Sequence, residues 1–266
     1  MIDVKGSDAI AAFLASHNIG FCFEVAGGMI THTLDSMAEL GQTRIVSMHH
    51  EQAAAFAAEG VARASRGRRI AVAMGTSGPG ATNLITGIGS CWLDSIPCLF
   101  ITGQVNVNEL KMNSGVRQFG FQELGICEMV EEITKYRAQI KHIDELMPSL
   151  HKAISLALEG RMGPSLLDIP NSIQREHVPD DIAQEWIRAP VAVSPGARPD
   201  QAQITSLKEL CLNSKRPLIC FGRGAVWSDQ LASWVSALQE TGVPYVSSLQ
   251  GRQALQQNEH YLGMLG

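Results

Sequence analysis

The sequence predicts an α/β fold: a doubly wound, six-stranded parallel sheet with helices on both faces, followed by part of a second α/β domain. Three observations carry this reading. Apolar runs of strand length alternate with stretches of helical periodicity about 10–15 residues long, the pattern of parallel strands joined by crossover helices. Glycines stand just beyond several of those runs, at Gly27-Gly28, Gly75 to Gly80 and Gly222-Arg223-Gly224. The composition, 45% hydrophobic and 18% charged over 266 residues, is that of a globular protein large enough to bury a core, which excludes a disordered chain or a disulfide-stapled mini-protein.

Taken in order, Ser7 stands where a helix cap is expected, and Ile10, Phe13 and Leu14 recur at helical spacing until Asn18 and Gly20 end the helix. Residues 21–25 form the first strand, 30–40 a helix and 44–48 the second strand. An Ala-rich helix over 51–63 leads to a strand over 70–74. A glycine turn opens a helix over 81–92, and a strand follows over 98–102. After an irregular stretch from 105 to 120, residues 133–140 read as a strand, 145–158 as a helix and 165–169 as the sixth strand. A first domain with about six strands is therefore expected over 1–170. Residues 171–199 lose periodicity and contain Pro179, Pro190, Pro195 and Pro199, so they read as a linker. Alternation resumes over 200–266 with helices at 201–212 and 229–240, strands at 218–221 and 244–248, and a loop-like end at 262–266. Two or three strands leave an edge and an apolar face uncovered, so the chain is expected to be the N-terminal part of a longer protein.

The formal charge of −5 argues against nucleic-acid binding; the basic run of Arg63, Arg66, Arg68 and Arg69 reads as a solvated helix end. Six cysteines without a CxxC spacing are expected to be reduced and mostly buried. The N-terminus lacks the charged and apolar regions of a signal peptide, and no run approaches the roughly 18 apolar residues of a membrane span. A cytoplasmic protein without a membrane partner is the expectation.

Three segments have the composition of a site. Met74 to Asn83 follows a strand and opens a helix, where free amides favour polar or anionic groups. It is neither a Walker loop, for want of the lysine, nor a dinucleotide fingerprint, because Asn83 replaces the third glycine; nor is it a nucleophile elbow, because Ser77 is followed at once by Gly78. A structural turn and a binding turn both remain open. Glu51 lies at a strand-to-helix junction, where open parallel sheets bind ligands, and its helical neighbours Ala54, Ala55 and Ala58 present only methyl groups. Such a carboxyl would be poorly hydrated and able to exchange a proton; the plainer reading is a first-turn glutamate interacting with the helix dipole. His49 and His50 lack further ligands at metal spacing. Phe119 to Glu123 lies in the irregular stretch, as either a functional loop or ordinary packing. Gly222 and Gly224 give a weak dinucleotide-loop signal.

The combination is more specific than its parts. His50-Glu51-Gln52 with its Ala-rich helix, Gly75 to Asn83, Leu93 to Pro97, Ile101 to Gln104, Phe121-Gln122-Glu123 and Asp168-Ile169-Pro170 follow one another as in the pyrimidine-binding domain of thiamine diphosphate enzymes. They resemble the acetolactate synthase branch in particular. The resemblance spans the chain, with residues 190–266 like the start of that family's central domain. It implies a decarboxylating carboligase acting on pyruvate or a similar 2-keto acid. The carboxylate matching Glu51 contacts ring nitrogen N1′ of the aminopyrimidine and so promotes removal of the thiazolium proton. A relative that works on glyoxylate lacks this glutamate, which disfavours that reaction here.

By the same resemblance Gly27 and Gly28 lie beside the cofactor and Thr76, Ser77, Gly78, Pro79, Gly80 and Asn83 line its pocket. Phe121 and Gln122 face the substrate, with Gln122 in a catalytic role, and Gly222 and Gly224 approach a flavin (FAD) if one is bound. Ala26 replaces the family's usual proline. The family holds Mg2+ and the diphosphate through a Gly-Asp-Gly motif in a further domain, and Gly-Asp is absent from this sequence. The metal is therefore expected to come from another region or chain, with the active site at the interface of a homo-oligomer. A non-catalytic dimerising or regulatory module, another thiamine-dependent lyase or oxidase, and a nucleotide-binding α/β protein are the other readings.

Overall fold

A computed structural model describes residues 3–111, 114–191, 193, 198–254 and 259–265. The chain forms two compact units, residues 1–196 and 197–266.

The first unit begins with β1 (Asp3–Lys5) and α1 (Gly6–Ser16). Then come β2 (Phe21–Glu24), α2 (Thr31–Leu40), β3 (Arg44–Ser47), α3 (Glu51–Ala64) and β4 (Val72–Gly75). The glycine turn leads to α4 (Pro79–Asn83) and α5 (Ile85–Leu93), and then to β5 (Cys98–Gln104). A long loop and α6 (Ile126–Met129) precede β6 (Tyr136–Gln139), α7 (Leu146–Leu158) and β7 (Pro164–Pro170). The six main strands form one sheet in the order β3-β2-β4-β5-β7-β6, every neighbouring pair parallel. This is the doubly wound sheet that the alternating pattern predicts. After β2 the chain steps to one side, to β3, and then returns across β2 to β4. The strand order thus reverses between β2 and β4, and such a point leaves a crevice beyond the carboxyl ends of the strands.

On one face Ile10, Phe13 and Leu14 of α1, Met37 of α2 and Leu146, Leu150 and Ile154 of α7 form a continuous core with Cys22, Val72, Met74, Leu99, Ile101 and Leu167 of the sheet. Helices α3 and α5 contact each other and their neighbouring strands. They cross so closely that a Cβ on Gly87 would lie 2.3 Å from that of Ala55. β5 and β7 are buried along their whole lengths, polar Thr102, Gln104, Ser165 and Asp168 included.

Two expectations change in the first unit and one in the second. Ser7 does not cap α1: the cap position is Lys5 and the helix starts two residues earlier, at Gly6, whose amide donates to Glu176 O (2.8 Å), while the buried Ser7 hydroxyl accepts from Ser36 Oγ (2.9 Å). The stretch expected as a linker is structured through Arg188, as α8 (Asn171–Arg175), β8 (His177–Pro179) and α9 (Asp180–Arg188). β8 pairs antiparallel with β1, and α9 adds Ala183, Trp186 and Ile187 to the core. Pro195 lies outside the described residues.

The second unit contains α10 (Gln201–Asn213), β9 (Ile219–Phe221), α11 (Arg223–Val226), α12 (Leu231–Thr241), β10 (Tyr245–Ser247) and β11 (Tyr261–Met264). Its sheet has the order β11-β10-β9, all parallel, around a small core of Phe221, Val226, Leu231, Val235 and Tyr245. The loop-like end is in fact a strand through Met264, with Gly263 at φ +109°; Gly266 lies outside the described residues. The six cysteines are free: Cys22, Cys91 and Cys98 are buried, Cys127 is half-buried, and Cys211 and Cys220 are exposed. Burial raises the thiol pKa of Cys22 above the ordinary range. Among the described residues no helix is long and apolar enough to cross a membrane.

Candidate functional site

Three connections meet beyond the carboxyl ends of β2, β3 and β4. The turn after β2 carries Gly27 and Gly28, and the turn after β4 carries Thr76 to Gly80. These two turns touch across the crevice: the Met29 amide donates to Thr76 Oγ1 (3.4 Å), and a Cβ on Gly27 would fall 2.5 Å from Thr76 Cβ. Gly28 has open space around it.

The third connection, after β3, delivers Glu51 at the first position of α3. His50 caps that helix, its Nδ1 accepting from the Gln52 amide (3.1 Å), which gives this exposed histidine a structural role. Glu51 is 8% exposed and stands on an α3 face whose Ala54, Ala55 and Ala58 are wholly buried. Asn83, at the end of α4, donates its amide to Glu51 Oε2 at 2.9 Å. Oε1 receives no hydrogen bond from the described residues, and a Cβ on Gly80 would lie 3.3 Å from it. Glu51 does stand in the first turn of α3, where the helix dipole favours its charge, and it is in addition buried, with one oxygen fixed by Asn83 and the other unclaimed among the described residues.

The irregular segment joins the same place. Gly78 has φ +62°, and a Cβ there would lie 2.8 Å from both Cβ and O of Gln122, so only glycine lets the two loops meet. Gln122 itself has φ +58°. Its side chain is exposed, Phe121 is 72% exposed, Ser77 is buried and Pro79 is exposed. Glu51, Gly27, Thr76, Gly78, Gly80, Asn83 and Gln122 are therefore gathered at one crevice. Gly222 and Gly224 belong to the second unit, where neither would bring a Cβ within 4 Å of another group. Among the described residues no group of three or more His, Cys, Asp or Glu is arranged to hold a metal ion.

Asp168, Gln104 and Glu123 stand out in the sequence only as members of motifs; the structure gives them supporting roles. Asp168 is wholly buried in β7 and accepts from Thr102 Oγ1 (2.7 Å), Gln104 Nε2 (3.1 Å) and Gln139 Nε2 (2.9 Å). Burial raises its pKa to about 6, against the lowering effect of those donors. The Glu123 carboxylate, 5% exposed, accepts from the amides of Lys111, Phe119 and Gly120 and so shapes the loop from within. Glu24, 2% exposed, accepts from the Ser47 hydroxyl through Oε1, while its Oε2 is buried without a partner among the described residues. A charged residue inside an apolar strand run was the available signal for Asp168 and Glu24.

Residues 4–129 match the family model described as thiamine pyrophosphate enzyme, N-terminal TPP binding domain. Nearly the whole chain aligns with acetolactate synthases. It is 34% identical over 265 residues to acetolactate synthase 3, chloroplastic, of Brassica napus, covering 98% of this chain and 39% of that protein. It is 32% identical over 268 residues to the probable acetolactate synthase large subunit of Methanocaldococcus jannaschii, covering 99% and 43%, and 31% identical over 268 residues to the large subunit of Corynebacterium glutamicum, covering 99% and 41%. The chain thus spans about two-fifths of the length of the curated relatives it matches. Residues 4–129 thus carry the N-terminal domain of the thiamine pyrophosphate enzyme family, and the chain is acetolactate synthase-like over nearly its whole length.

Proposed function

We propose that this chain supplies the pyrimidine-binding half of the active site of a thiamine diphosphate-dependent carboligase that decarboxylates pyruvate or a similar 2-keto acid. One observation carries the reading: Glu51 is buried at the strand-order reversal with Oε2 held by Asn83 and Oε1 unclaimed beside Gly80. The residues fit an aminopyrimidine, since a carboxyl with one unclaimed oxygen suits a ring nitrogen and the open space at Gly28 leaves room for a flat ring. When bound, the cofactor supplies the electron sink for loss of carbon dioxide.

The work of the chain is positional. Asn83 fixes the rotation of the Glu51 carboxyl, and the alanine face keeps water from competing for it, so Oε1 is ready to hold or release a proton at the ring nitrogen. Gly27 and Gly80 let Thr76 pack into the turns, Gly28 leaves open space for the ligand beside the backbone, and the Gly78 contact sets Gln122 at the mouth on the substrate side. A diphosphate- and magnesium-binding part, expected in the remaining length of the relatives, completes the site, at a subunit interface of a homo-oligomer. The glycine turn after β9 is the position proposed for FAD.

Calorimetric titration of the whole protein with thiamine diphosphate and Mg2+, alongside pyruvate turnover, tests this. The expected result is cofactor binding in both wild type and Glu51→Gln, with turnover lost only in the variant. No binding to the wild-type whole protein would overturn the assignment.

A further inference from the structure

The Asp168 cluster is an expensive feature to place inside a sheet, because buried polar groups are tolerated only when their hydrogen bonds are met. Thr102, Asp168 and Gln139 sit at one level on adjacent strands β5, β7 and β6, in register with one another. Thr102 and Asp168 are wholly buried and Gln104 is 1% exposed. Gln139 and Gln104 donate to the same carboxylate oxygen, Asp168 Oδ2. They differ in one respect. The Gln104 amide also donates to Leu124 O at 3.0 Å, while its Oε1 accepts from the Val105 amide at 3.0 Å. Leu124 lies two residues beyond Gln122, and its carbonyl otherwise accepts only from its near neighbour Ile126 among the described residues.

From this geometry we propose that Gln104, oriented by Asp168, is a positioning residue for the loop carrying Phe121 and Gln122. Several constraints act on that loop, among them the packing of Gly120 against Val105 and the Glu109 carbonyl. Glu123 folds it by accepting from three of its amides, Gly78 receives the backbone of Gln122, and Gln104 fastens the end of the segment to the rigid sheet. The left-handed backbone of Gln122 costs about 1 kcal/mol or more in a non-glycine residue, so the loop holds this shape only while its surroundings enforce it. Among the described residues Gln104 is the side chain that hydrogen-bonds both this loop and the buried carboxylate, so cutting it loosens the seat of Gln122 against the Gly78 turn while leaving Glu51, Asn83 and Thr76 in place. The kinetic part of the proposal rests on the function proposed above; the structural part does not.

The test compares Gln104→Met with Gln139→Met in the whole protein. Both remove one donor from Asp168, so both lower the melting temperature, but only the first detaches Leu124. Expected for Gln104→Met alone are faster amide hydrogen exchange over residues 119–124 and a roughly tenfold or larger rise in KM for the 2-keto acid, with thiamine diphosphate affinity unchanged. If Gln104→Met does not fold, Gln104→Asn, one methylene too short to span Asp168 and Leu124 together, is judged by the same criteria. Loop exchange that changes equally in the two variants, or in neither, overturns the proposal. A wild-type protein that consumes no 2-keto acid overturns the function proposed above, and the exchange comparison still decides the role of Gln104.

Discussion

Two buried carboxylates in this molecule have opposite surroundings. Asp168 has three side-chain donors and no exposed surface, whereas Glu51 has one donor, slight exposure and an oxygen that nothing among the described residues claims. The first carboxylate is saturated, so it fixes its partners; the second is held by one oxygen only, so the other is available to a ligand. A buried acid therefore carries architecture or chemistry according to how many donors reach it, and burial by itself does not separate the two.

The sharpest break of this comparison is Glu51→Gln in the whole protein. It keeps the size and an acceptor for Asn83 but removes the exchangeable proton, so turnover is expected to fall by about 10²–10⁴-fold while the melting temperature moves little. A large loss of stability with retained turnover would make Glu51 architectural, like Asp168.

The converse substitution is Asp168→Asn, read as stability against pH. The Asp168 carboxyl has its pKa raised from 3.8 to about 6, chiefly by burial. A raised acid favours the folded state when protonated, so this contribution is complete below the unfolded pKa and is lost as pH rises through the folded one. Wild-type stability relative to the variant should thus decline between about pH 4 and pH 6 and level off above, by on the order of 2–3 kcal/mol. Parallel melting-temperature curves for the two proteins would show that Asp168 does not titrate in that window.

A smaller effect is expected at the junction of the loops. Gly78→Ala imposes a Cβ on a left-handed backbone and presses it into Gln122, which should cost roughly 1–2 kcal/mol and lower the melting temperature by several degrees. Cofactor binding should weaken with it, since Thr76 and Gly80 flank the same turn. An alanine variant as stable as wild type would mean that the two loops are not in firm contact.

Much of this was legible in the sequence, and the failures have physical reasons. The six main strands and the helices between them declared themselves because a doubly covered sheet needs long apolar runs and helices need periodic ones. Glu51 and the glycine turn were visible as residues out of keeping with those patterns. β1 and β8 were invisible, being three residues each, with Pro179 ending one of them. α9 was mistaken for linker because acidic Asp180 and Asp181 and flanking prolines masked its one apolar stripe, and β11 because Gly263 reads as a breaker. The meeting of Gly78 with Gln122 depends on two loops 44 positions apart in numbering, a relation that local pattern does not encode. Gln104 and Asp168 drew notice only as parts of motifs, since their value lies in a register between strands.

The β1–β8 pairing has a practical consequence for dissecting the molecule. Asp3 lies opposite Pro179 and Lys5 opposite His177, so the opening residues of the first unit are zipped to a segment near its close. Severing the chain after β7 would strip one strand of this ribbon together with α9, exposing Trp186 and Ile187's place on the core, whereas a cut beyond Arg188 would leave the ribbon whole. The same adjacency makes the unit a natural substrate for circular permutation: a short splice joining its two ends, with new termini opened in an exposed turn such as that before β3, should preserve every strand of the main sheet.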